Sequence, residues 1–371
     1  MRPPFMKLAY DSITHIKPYV AGNVTPDGFI FNHNLASNEN PFGCSPIVSD
    51  VLKTYTATHS YPDGNAIGLR KCIAHTFNIP FQTVLCGAGS EEILHLLART
   101  YATAGDEILI PHYGFSVYAI AALSVGAMPV FIPREDDVLT LSVDTILTCV
   151  TPKTRMIYLD HPGNPIGNFI KRSDLTRLIQ SIPPHIIIVL DAAYADYMTK
   201  DEDYTTGHEF IESHPNVVVT RSFSKAYGLA GLRLGWLHAA PSIIDMVNRV
   251  RAPFNTSSLA QHAGIAALAD HAFVEKTITH THIWRKKLED TLTKASISFI
   301  PCCTNFTLIH IPEHDSKRNA TQLYHDLGRK GIIVRPMTMY QLPDYLRISI
   351  GTTEAMEALL AEFTSESDHT P

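Results

Sequence analysis

The sequence predicts an α/β fold with a mainly parallel, doubly wound sheet and a second, smaller α+β domain. The chain has 371 residues, of which 45% are hydrophobic and 18% are charged, so it can bury a large core and fill about two domains. Short apolar runs alternate with helix-like segments over the first two thirds of the chain, which is typical of parallel sheets covered by helices. Polar motifs follow several of these runs, and in such sheets ligands bind at the carboxyl ends of the strands.

The elements can be assigned in chain order from their hydrophobic patterns. The predicted strands are 83–86, 107–110, 130–132, 155–159, 186–190 and 216–220, and helices are predicted at 91–101 and 116–125. A long helical stretch then covers 258–295, and it is followed by strands at 297–300 and 306–310, a helix at 320–330 and apolar runs at 332–335 and 345–351. We therefore predict an arm and part of the small domain at 1–44, a large ligand-binding domain at 45–255 and the small domain at 256–371.

Composition and charge argue against several classes of protein. A net charge of −6 provides no basic footprint for nucleic acid. The first ten residues contain no sustained apolar segment, and the longest uncharged run, 114–133, is interrupted by Gly126 and Pro129, so we expect neither a secretory signal nor a membrane span. Six scattered cysteines are typical of reduced thiols, and Pro312 would break the helix that an inverted zinc-protease pattern at 310–314 requires. We expect a cytoplasmic protein without nucleic-acid, membrane or metal partners.

Five polar motifs are predicted to meet at one edge of the sheet. They follow the predicted strands at 87–91, 113–115, 161–165, 191 and 222–225. The first, Gly-Ala-Gly-Ser-Glu, lacks the third glycine of the dinucleotide fingerprint. We interpret Gly89, Ser90 and Glu91 as the start of a helix whose free amides and dipole bind a single phosphate.

The stretch 221–236 places one lysine, Lys225, among hydroxyl groups and glycines directly after an apolar strand. A lysine amine is nucleophilic near neutral pH only when burial or a neighbouring cation lowers its pKa, and Arg233 follows eight residues later. Ser222, Ser224 and Arg233 are suited to binding a phosphate. A phosphate site beside a reactive lysine indicates pyridoxal phosphate. The alternative is a strand and a glycine-containing polar loop with an exposed lysine.

Asp191 ends the apolar run Ile-Ile-Ile-Val-Leu. A carboxylate in that position is costly to bury without a cationic partner, and the pyridinium nitrogen of the cofactor would be such a partner. The alternative interpretation is a helix N-cap, a position that aspartate favours.

Several motifs together resemble a known family. The segment S-x-S-K-A-Y-G-L-A-G-L-R-x-G is similar to the cofactor-lysine segment of the fold-type I pyridoxal phosphate aminotransferases of class II, and the nearest branch is that of the histidinol-phosphate aminotransferases. The resemblance extends from Ile16 to Gly351. It implies a homodimer that binds pyridoxal 5′-phosphate on Lys225. It also implies transamination between histidinol phosphate and 2-oxoglutarate, which gives imidazole-acetol phosphate and glutamate in histidine biosynthesis.

The resemblance also implies roles for residues around the cofactor ring. Asp191 matches the family's D-x-A-Y motif, and Tyr194 and Asn164 match the residues that bind the ring's 3′ oxygen. Phe115 matches the aromatic residue that stacks on the ring, and Tyr113 is the second choice. For either aromatic residue, plain core packing is the alternative.

Further residues are matched to the substrate and to the dimer. Tyr19 matches a tyrosine that helps bind the substrate phosphate, and Tyr61 matches one that reaches the cofactor phosphate of the neighbouring subunit. Turn chemistry alone would also explain both tyrosine segments. The resemblance assigns Arg347 to the substrate's α-carboxylate, Arg335 to its distal phosphate, and Asn38, in the loop at 35–43, to substrate binding. A structural ion pair is the alternative for each arginine.

Two departures from the family pattern leave the substrate open. Ala192 stands where the family commonly has glutamate, and His161-Pro162-Gly163 replaces an asparagine-rich approach to Asn164. Aromatic aminotransferases and an amino-acid-phosphate decarboxylase share the same cofactor architecture, so they remain alternatives. A non-catalytic, cofactor-binding regulator would need a DNA-binding module, which the acidic net charge disfavours.

Overall fold

The structure is a computed structural model that describes residues 9–18, 32–135, 139–198, 203–312 and 319–364. The strands are β1 His33–Asn34, β2 Val84–Gly87, β3 Glu107–Pro111, β4 Met128–Ile132, β5 Thr154–Asp160, β6 Ile187–Asp191, β7 Val217–Ser222, β8 Gly235–Ala239, β9 Ser298–Ile300, β10 Phe306–His310, β11 Ile332–Ile333, β12 Arg335–Pro336 and β13 Tyr345–Ser349. The helices are α1 Asp11–Thr14, α2 Pro46–Thr54, α3 Ile67–Thr76, α4 Ser90–Tyr101, α5 Val117–Ser124, α6 Val143–Thr148, α7 Arg172–Ser181, α8 Pro241–Val250, α9 Ser258–Ala269, α10 His271–Lys294, α11 Ala320–Arg329 and α12 Thr353–Thr364.

A seven-stranded sheet with the order β2-β8-β7-β6-β5-β3-β4 carries the candidate site. Strands β7, β6, β5, β3 and β4 pair in parallel, which confirms the predicted mainly parallel sheet. The exception is β8, which runs antiparallel to β2 and β7 and was not predicted. Its sequence, Gly-Trp-Leu-His-Ala, is short and follows a glycine-containing loop, so the strand pattern is weak. Gly235 is required there, because a Cβ atom would lie 2.3 Å from the Ser90 amide nitrogen.

Helices cover both faces of this sheet. On β6, Ile187 and Val189 belong to the apolar core shared with α4, α5 and α8, whereas Ile188 and Leu190 belong to the core shared with α6 and α7. A strand that is buried on both faces has no polar side to expose. This arrangement explains why 186–190 is an uninterrupted apolar run, and it leaves the strand ends as the place for polar groups.

The C-terminal part of the chain forms an antiparallel sheet with the order β12-β13-β10-β9. Helices α10, α11 and α12 pack on it around a separate apolar core. Strand β1 pairs in parallel with β11, and the Ser349 amide donates to the Leu35 carbonyl at 2.8 Å, so residues near 33–35 lie beside this sheet. The domain limits at 45 and 255 stay a prediction.

Two details of the C-terminal part differ from the sequence-based assignment. The predicted helix 258–295 is two helices, because Asp270 ends α9 and caps α10 by accepting a hydrogen bond from the Phe273 amide at 3.1 Å. The predicted apolar strand 332–335 is divided between β11 and β12, which belong to different sheets. In the described ranges, no helix is long and apolar enough to cross a membrane.

Candidate active site

A cavity of about 300 Å³ opens at the carboxyl edge of the large sheet, between that sheet and the C-terminal sheet. Because the carboxyl ends of parallel strands meet at one edge, residues distant in sequence line the same space. The sequence-predicted residues that line it are Asn38, Ser90, Glu91, Phe115, Asn164, Asp191, Tyr194, Ser222, Ser224, Lys225, Arg233, Arg335 and Arg347.

One end of the cavity combines hydroxyl groups, a guanidinium group and a helix N-terminus. Helix α4 begins at Ser90, and no side chain caps its first amides, so they can bind an anion. Arg233 lies beside this turn and pairs with Glu91 at 3.6 Å. Gly89 lies just behind the lining with φ +87°, and a Cβ atom there would lie 2.6 Å from Arg233 Nη2. Because glycine has no side chain, the Arg233 guanidinium group can lie against the backbone at this position.

The Lys225 amine lies at the centre of the cavity lining. Its Nζ donates to the Asn38 carbonyl oxygen at 3.4 Å and lies 5.5 Å from the centroid of the Tyr194 ring. The pKa of Lys225 is lowered to about 8, mainly by desolvation and next by the positive charge of Arg347. Arg233, the cation that the sequence suggested, contributes less than Arg347. A lysine with this pKa is partly neutral near physiological pH and can act as a nucleophile and as a base.

The Asp191 carboxylate is the last group of β6 and is buried. Oδ2 accepts a hydrogen bond from the Tyr118 hydroxyl at 3.0 Å, and Oδ1 accepts one from the Thr220 hydroxyl at 3.1 Å. Burial raises the pKa of Asp191, whereas these two donors and Lys225 lower it. No α-helix begins at Asp191, since only a 3₁₀ turn at Ala195–Met198 follows. The carboxylate thus faces the cavity with its two oxygens fixed.

Asn164 and Tyr194 belong to a hydrogen-bonded network that joins the two sheets. The Asn164 side-chain oxygen accepts from Arg347 Nη1 at 2.5 Å, and its backbone amide donates to Asp160 at 3.1 Å. The Tyr194 hydroxyl accepts from Asn38 Nδ2 at 3.0 Å. Arg347 binds the Asn164 oxygen, and the Asn164 Nδ2 group has no hydrogen-bond acceptor among the described residues, so it can donate to a ligand in the cavity. The Tyr194 hydroxyl hydrogen likewise has no acceptor in those ranges.

Arg335 and Arg347 are direct cross-strand neighbours on β12 and β13, and both are buried. Arg335 Nη2 lies 2.9 Å from the Met339 sulfur, and Arg347 Nη2 donates to the Ala36 carbonyl at 2.8 Å. Like charges directly opposite on paired strands repel. An anion bound between the two guanidinium groups would reduce that repulsion, so the pair is suited to an anionic ligand.

Two of the predicted tyrosines, Tyr61 and Tyr113, do not line the cavity in the part of the chain that the structure describes. Tyr61 is 83% exposed and stacks on Phe254, with ring centroids 4.7 Å apart. Tyr113 stacks on His112 at 4.1 Å, whereas Phe115 lines the cavity. Tyr19 lies outside the described residues. The proposed roles of Tyr61 and Tyr19 therefore stay predictions.

Sequence reasoning missed three residues that the structure places around the site. Tyr118 and Thr220 bind Asp191, and Asp160 lines the cavity at the end of β5. Asp160 forms a buried ion pair with Arg134 at 3.4 Å, and burial raises its pKa to about 6. A signal for Asp160 was present, since it follows an apolar strand just as Asp191 does. For Tyr118 the available signal was its position three residues after Phe115, a spacing of about one helical turn that can bring two side chains together.

His161, one of the departures from the family pattern, lies outside the cavity lining. Its ring is buried, with Nε2 2.8 Å from the Thr205 carbonyl oxygen and Nδ1 3.3 Å from the Ile170 amide that donates to it. Burial lowers the pKa of His161 to about 4. The histidine is therefore neutral and structural.

Comparison with known proteins places this arrangement in a family. The family model "Aminotransferase class I and II" matches residues 33–363. The chain is 42% identical over 355 residues to a histidinol-phosphate aminotransferase of Rhodopseudomonas palustris strain HaA2, covering 95% of this chain and 96% of that protein. A second such protein, from strain BisA53, is 42% identical over 354 residues, with 94% and 95% coverage.

Solved structures share the fold. A histidinol-phosphate aminotransferase from Sinorhizobium meliloti, solved with pyridoxal-5′-phosphate, superposes with a TM-score of 0.83 at 24% identity, covering 91% of each chain. An L-threonine-O-3-phosphate decarboxylase from Porphyromonas gingivalis superposes with a TM-score of 0.77 at 21% identity, covering 91% of this chain and 99% of that one. The expected fold-type I architecture is confirmed. The chain belongs to the class I and II aminotransferases, a pyridoxal phosphate-dependent family.

Proposed function

We propose that this protein is a histidinol-phosphate aminotransferase that exchanges the amino group between histidinol phosphate and 2-oxoglutarate in histidine biosynthesis. The observation that carries the proposal is that one cavity is lined by the Lys225 amine, the Asp191 carboxylate and the arginine pair. The relatives that are 42% identical over nearly the whole chain bear this name, which supports the choice of substrate.

The lining fits pyridoxal phosphate at both of its ends. Ser90, Ser222, Ser224 and Arg233 lie together with the uncapped amides of α4, a donor set suited to a phosphate dianion. Asp191, buried and already bound by two hydroxyl groups, offers a carboxylate for a cationic ring nitrogen. When bound, pyridoxal phosphate supplies an electron sink that stabilises negative charge on the substrate's α-carbon.

Lys225 performs the proton transfer. With pyridoxal phosphate bound, the Lys225 amine would hold the cofactor and would be released when the substrate's amino group binds. The released Nζ would accept the proton from the substrate's α-carbon and could give it back, so that one group would serve first as base and then as acid. Its pKa of about 8 suits this role, because the group can both accept and return a proton near physiological pH.

Four other side chains would hold the cofactor ring in its reactive state. Asp191 would keep the ring nitrogen protonated, and at ~4 Å and an effective dielectric near 20 such a pair interacts by roughly 4 kcal/mol. Tyr194 and Asn164 would donate to the ring's 3′ oxygen, since their bonds to Asn38 and Arg347 do not use these hydrogens. Phe115, which lines the cavity just before α5, would cover one face of the ring.

The arginine pair holds the anionic ends of the two substrates. Arg347 binds the α-carboxylate of glutamate, and Arg335 binds the distal phosphate of histidinol phosphate. Asn38 lies between Tyr194 and Ser349 and orders the substrate side of the cavity. Tyr19 is assigned to the same phosphate.

Replacing Arg335 with leucine should slow histidinol phosphate selectively, because only that substrate places a phosphate dianion there. The loss of one charge-assisted contact should cost roughly 1.5–3 kcal/mol in kcat/KM, about ten- to a hundredfold. Half-reactions with histidinol phosphate, phenylalanine and tyrosine, followed by the visible absorbance of the bound cofactor, measure this effect. Arg249→Leu, on the exposed side of α8, is the matched control. An equal loss with phenylalanine would assign Arg335 to structure and favour an aromatic aminotransferase.

We also propose that the enzyme is a cytoplasmic homodimer whose Tyr61 reaches the partner subunit's site. Tyr61 and Phe254 form an exposed aromatic stack, and Ile47, Ile67 and Ile265 are exposed on α2, α3 and α9. Helices α2 and α3 both pack on α9, so these apolar side chains lie in one region of the surface. Apolar surface of this kind is typical of a subunit interface.

Mixing Tyr61→Phe protein with Lys225→Ala protein should restore activity. In a heterodimer with shared sites, one site carries both defects and the other carries neither. Tyr61→Phe alone should weaken cofactor binding about tenfold, through the lost contact to phosphate. The mixture should therefore exceed the activity of the unmixed proteins, once subunit exchange is confirmed by mass. Mixing wild type with Lys225→Ala is the control, and exchange without a gain would contradict a shared site.

A further inference from the structure

Tyr118, which the proposed mechanism does not use, is held rigidly behind Asp191. It lies near the start of α5, is fully buried, and donates its hydroxyl hydrogen to Asp191 Oδ2 at 3.0 Å. Its ring stacks on Tyr158 with centroids 4.9 Å apart and planes within 8°, and the Phe115 ring contacts it edge-on at 5.8 Å. With both contacts in place, the phenol oxygen has little freedom to move.

The stack is fixed in turn by the sheet and by α4. The Tyr158 hydroxyl, which is also buried, donates to the Leu94 carbonyl oxygen at 2.7 Å. Within the described residues, the Tyr158 hydroxyl makes no hydrogen bond to Asp191, although the Tyr158 ring lies against that of Tyr118. The two tyrosines thus share a packing environment but differ in what their hydroxyl groups bind.

Asp191 needs such support more than an exposed carboxylate would. It is buried, and its register partner on β5 is Asp160, a second buried carboxyl group at the same edge of the sheet. Thr220, its register partner on β7, binds the other oxygen, Oδ1. The donor to Oδ2 comes from α5, outside the sheet. Among the described residues, Tyr118 is therefore the hydrogen-bond donor that connects this carboxylate to α5, the helix that begins two residues after Phe115.

We infer that Tyr118 is a positioning residue whose hydroxyl group fixes the Asp191 carboxylate in the orientation that binds the cofactor's ring nitrogen. The inference rests on the proposed role of Asp191. Without the phenol oxygen, one oxygen of the buried carboxylate would lose its donor. The carboxylate would then turn away or take up a proton, and either change weakens its hold on a protonated ring nitrogen.

The test compares two cofactors on the full-length protein. One is pyridoxal phosphate, and the other is 1-deazapyridoxal phosphate, in which a carbon atom replaces the ring nitrogen. The ratio of their dissociation constants isolates the contact of Asp191 with the ring nitrogen, because the phosphate and lysine contacts are common to both. Tyr118→Phe should reduce the preference for pyridoxal phosphate by about tenfold or more. Tyr158→Phe, which removes the neighbouring hydroxyl of the same stack, should leave the preference unchanged.

The outcomes separate this inference from the proposed function. A wild-type protein that binds both cofactors equally would overturn the role of Asp191, and the inference with it. A wild-type preference that Tyr118→Phe fully retains would overturn the inference alone. Equal losses in Tyr118→Phe and Tyr158→Phe would assign Tyr118 to packing, which also overturns it.

A second measurement does not depend on the stability of one variant. In an Asp191→Asn background, adding Tyr118→Phe should cause no further change in the cofactor ratio, because the hydroxyl acts only through the carboxylate. A further loss of similar size in that background would show that Tyr118 acts by another route. Thermal unfolding of each variant checks that the compared proteins are folded.

Discussion

Replacing Lys225 with alanine should abolish transamination while leaving a folded protein that binds pyridoxal phosphate without a covalent bond. Lys225 is the proposed proton carrier, so turnover should fall by more than about a thousandfold. The phosphate and ring contacts belong to other side chains, among them Arg233 and Asp191, and these should still hold the cofactor. Stopped-flow assays of each half-reaction measure the loss of turnover, and equilibrium binding of the cofactor measures whether the non-covalent contacts remain.

Borohydride reduction of the wild-type protein gives an independent check. The reduced cofactor should be found on Lys225 when peptides are mapped by mass spectrometry. Lys276→Ala is the matched control, because Lys276 is exposed and lies over the Phe42 ring. This variant should keep full activity. Cofactor attached to any lysine other than Lys225 would contradict the central assignment.

Replacing Asp191 with asparagine should preserve attachment of the cofactor but slow the chemical step. An amide cannot stabilise the protonated ring nitrogen, and the loss of an interaction of roughly 4 kcal/mol corresponds to a decrease of up to about a thousandfold. Tyr118 and Thr220 bind different oxygens of Asp191. In the variant one hydroxyl group would still donate to the amide oxygen and the other could accept from the amide nitrogen, so we expect the fold to survive.

Single-turnover kinetics test this prediction, because they separate proton removal from product release. A substrate deuterated at the α-carbon should show that proton removal has become slower in the variant. The matched control is Asp245→Asn, on the exposed surface of α8. Proton removal at close to the wild-type rate in Asp191→Asn would mean that the carboxylate serves the fold and not the chemistry.

The sequence by itself predicts the large sheet and the groups at its edge. Strands such as 186–190 are buried on both faces and therefore appear as uninterrupted apolar runs. The polar groups that end them, including Asp191 and Lys225, are local features that a motif can identify. Chain order and strand direction then suffice to predict that they meet, since parallel strands have their carboxyl ends together.

Local pattern was insufficient where an element is short or where the chain changes sheets. Strand β8 has five residues and begins with Gly235, where the close approach of the Gly89, Ser90 and Arg221 backbone leaves no room for a side chain. The break between α9 and α10 occurs at one capping residue, Asp270, within a continuous helical pattern. Strands β11 and β12 are separated by Val334 alone and still belong to different sheets.

Only the tertiary structure decided which side chains support the chemistry. Tyr118 binds Asp191 across 73 residues of chain, and Arg347 binds Asn164 across 183. The same packing makes Arg347, and not the nearby Arg233, the cation with the larger effect on the pKa of Lys225. Such pairings depend on how helices and two sheets pack together, because electrostatic and hydrogen-bond energies follow distance in space and not separation in sequence.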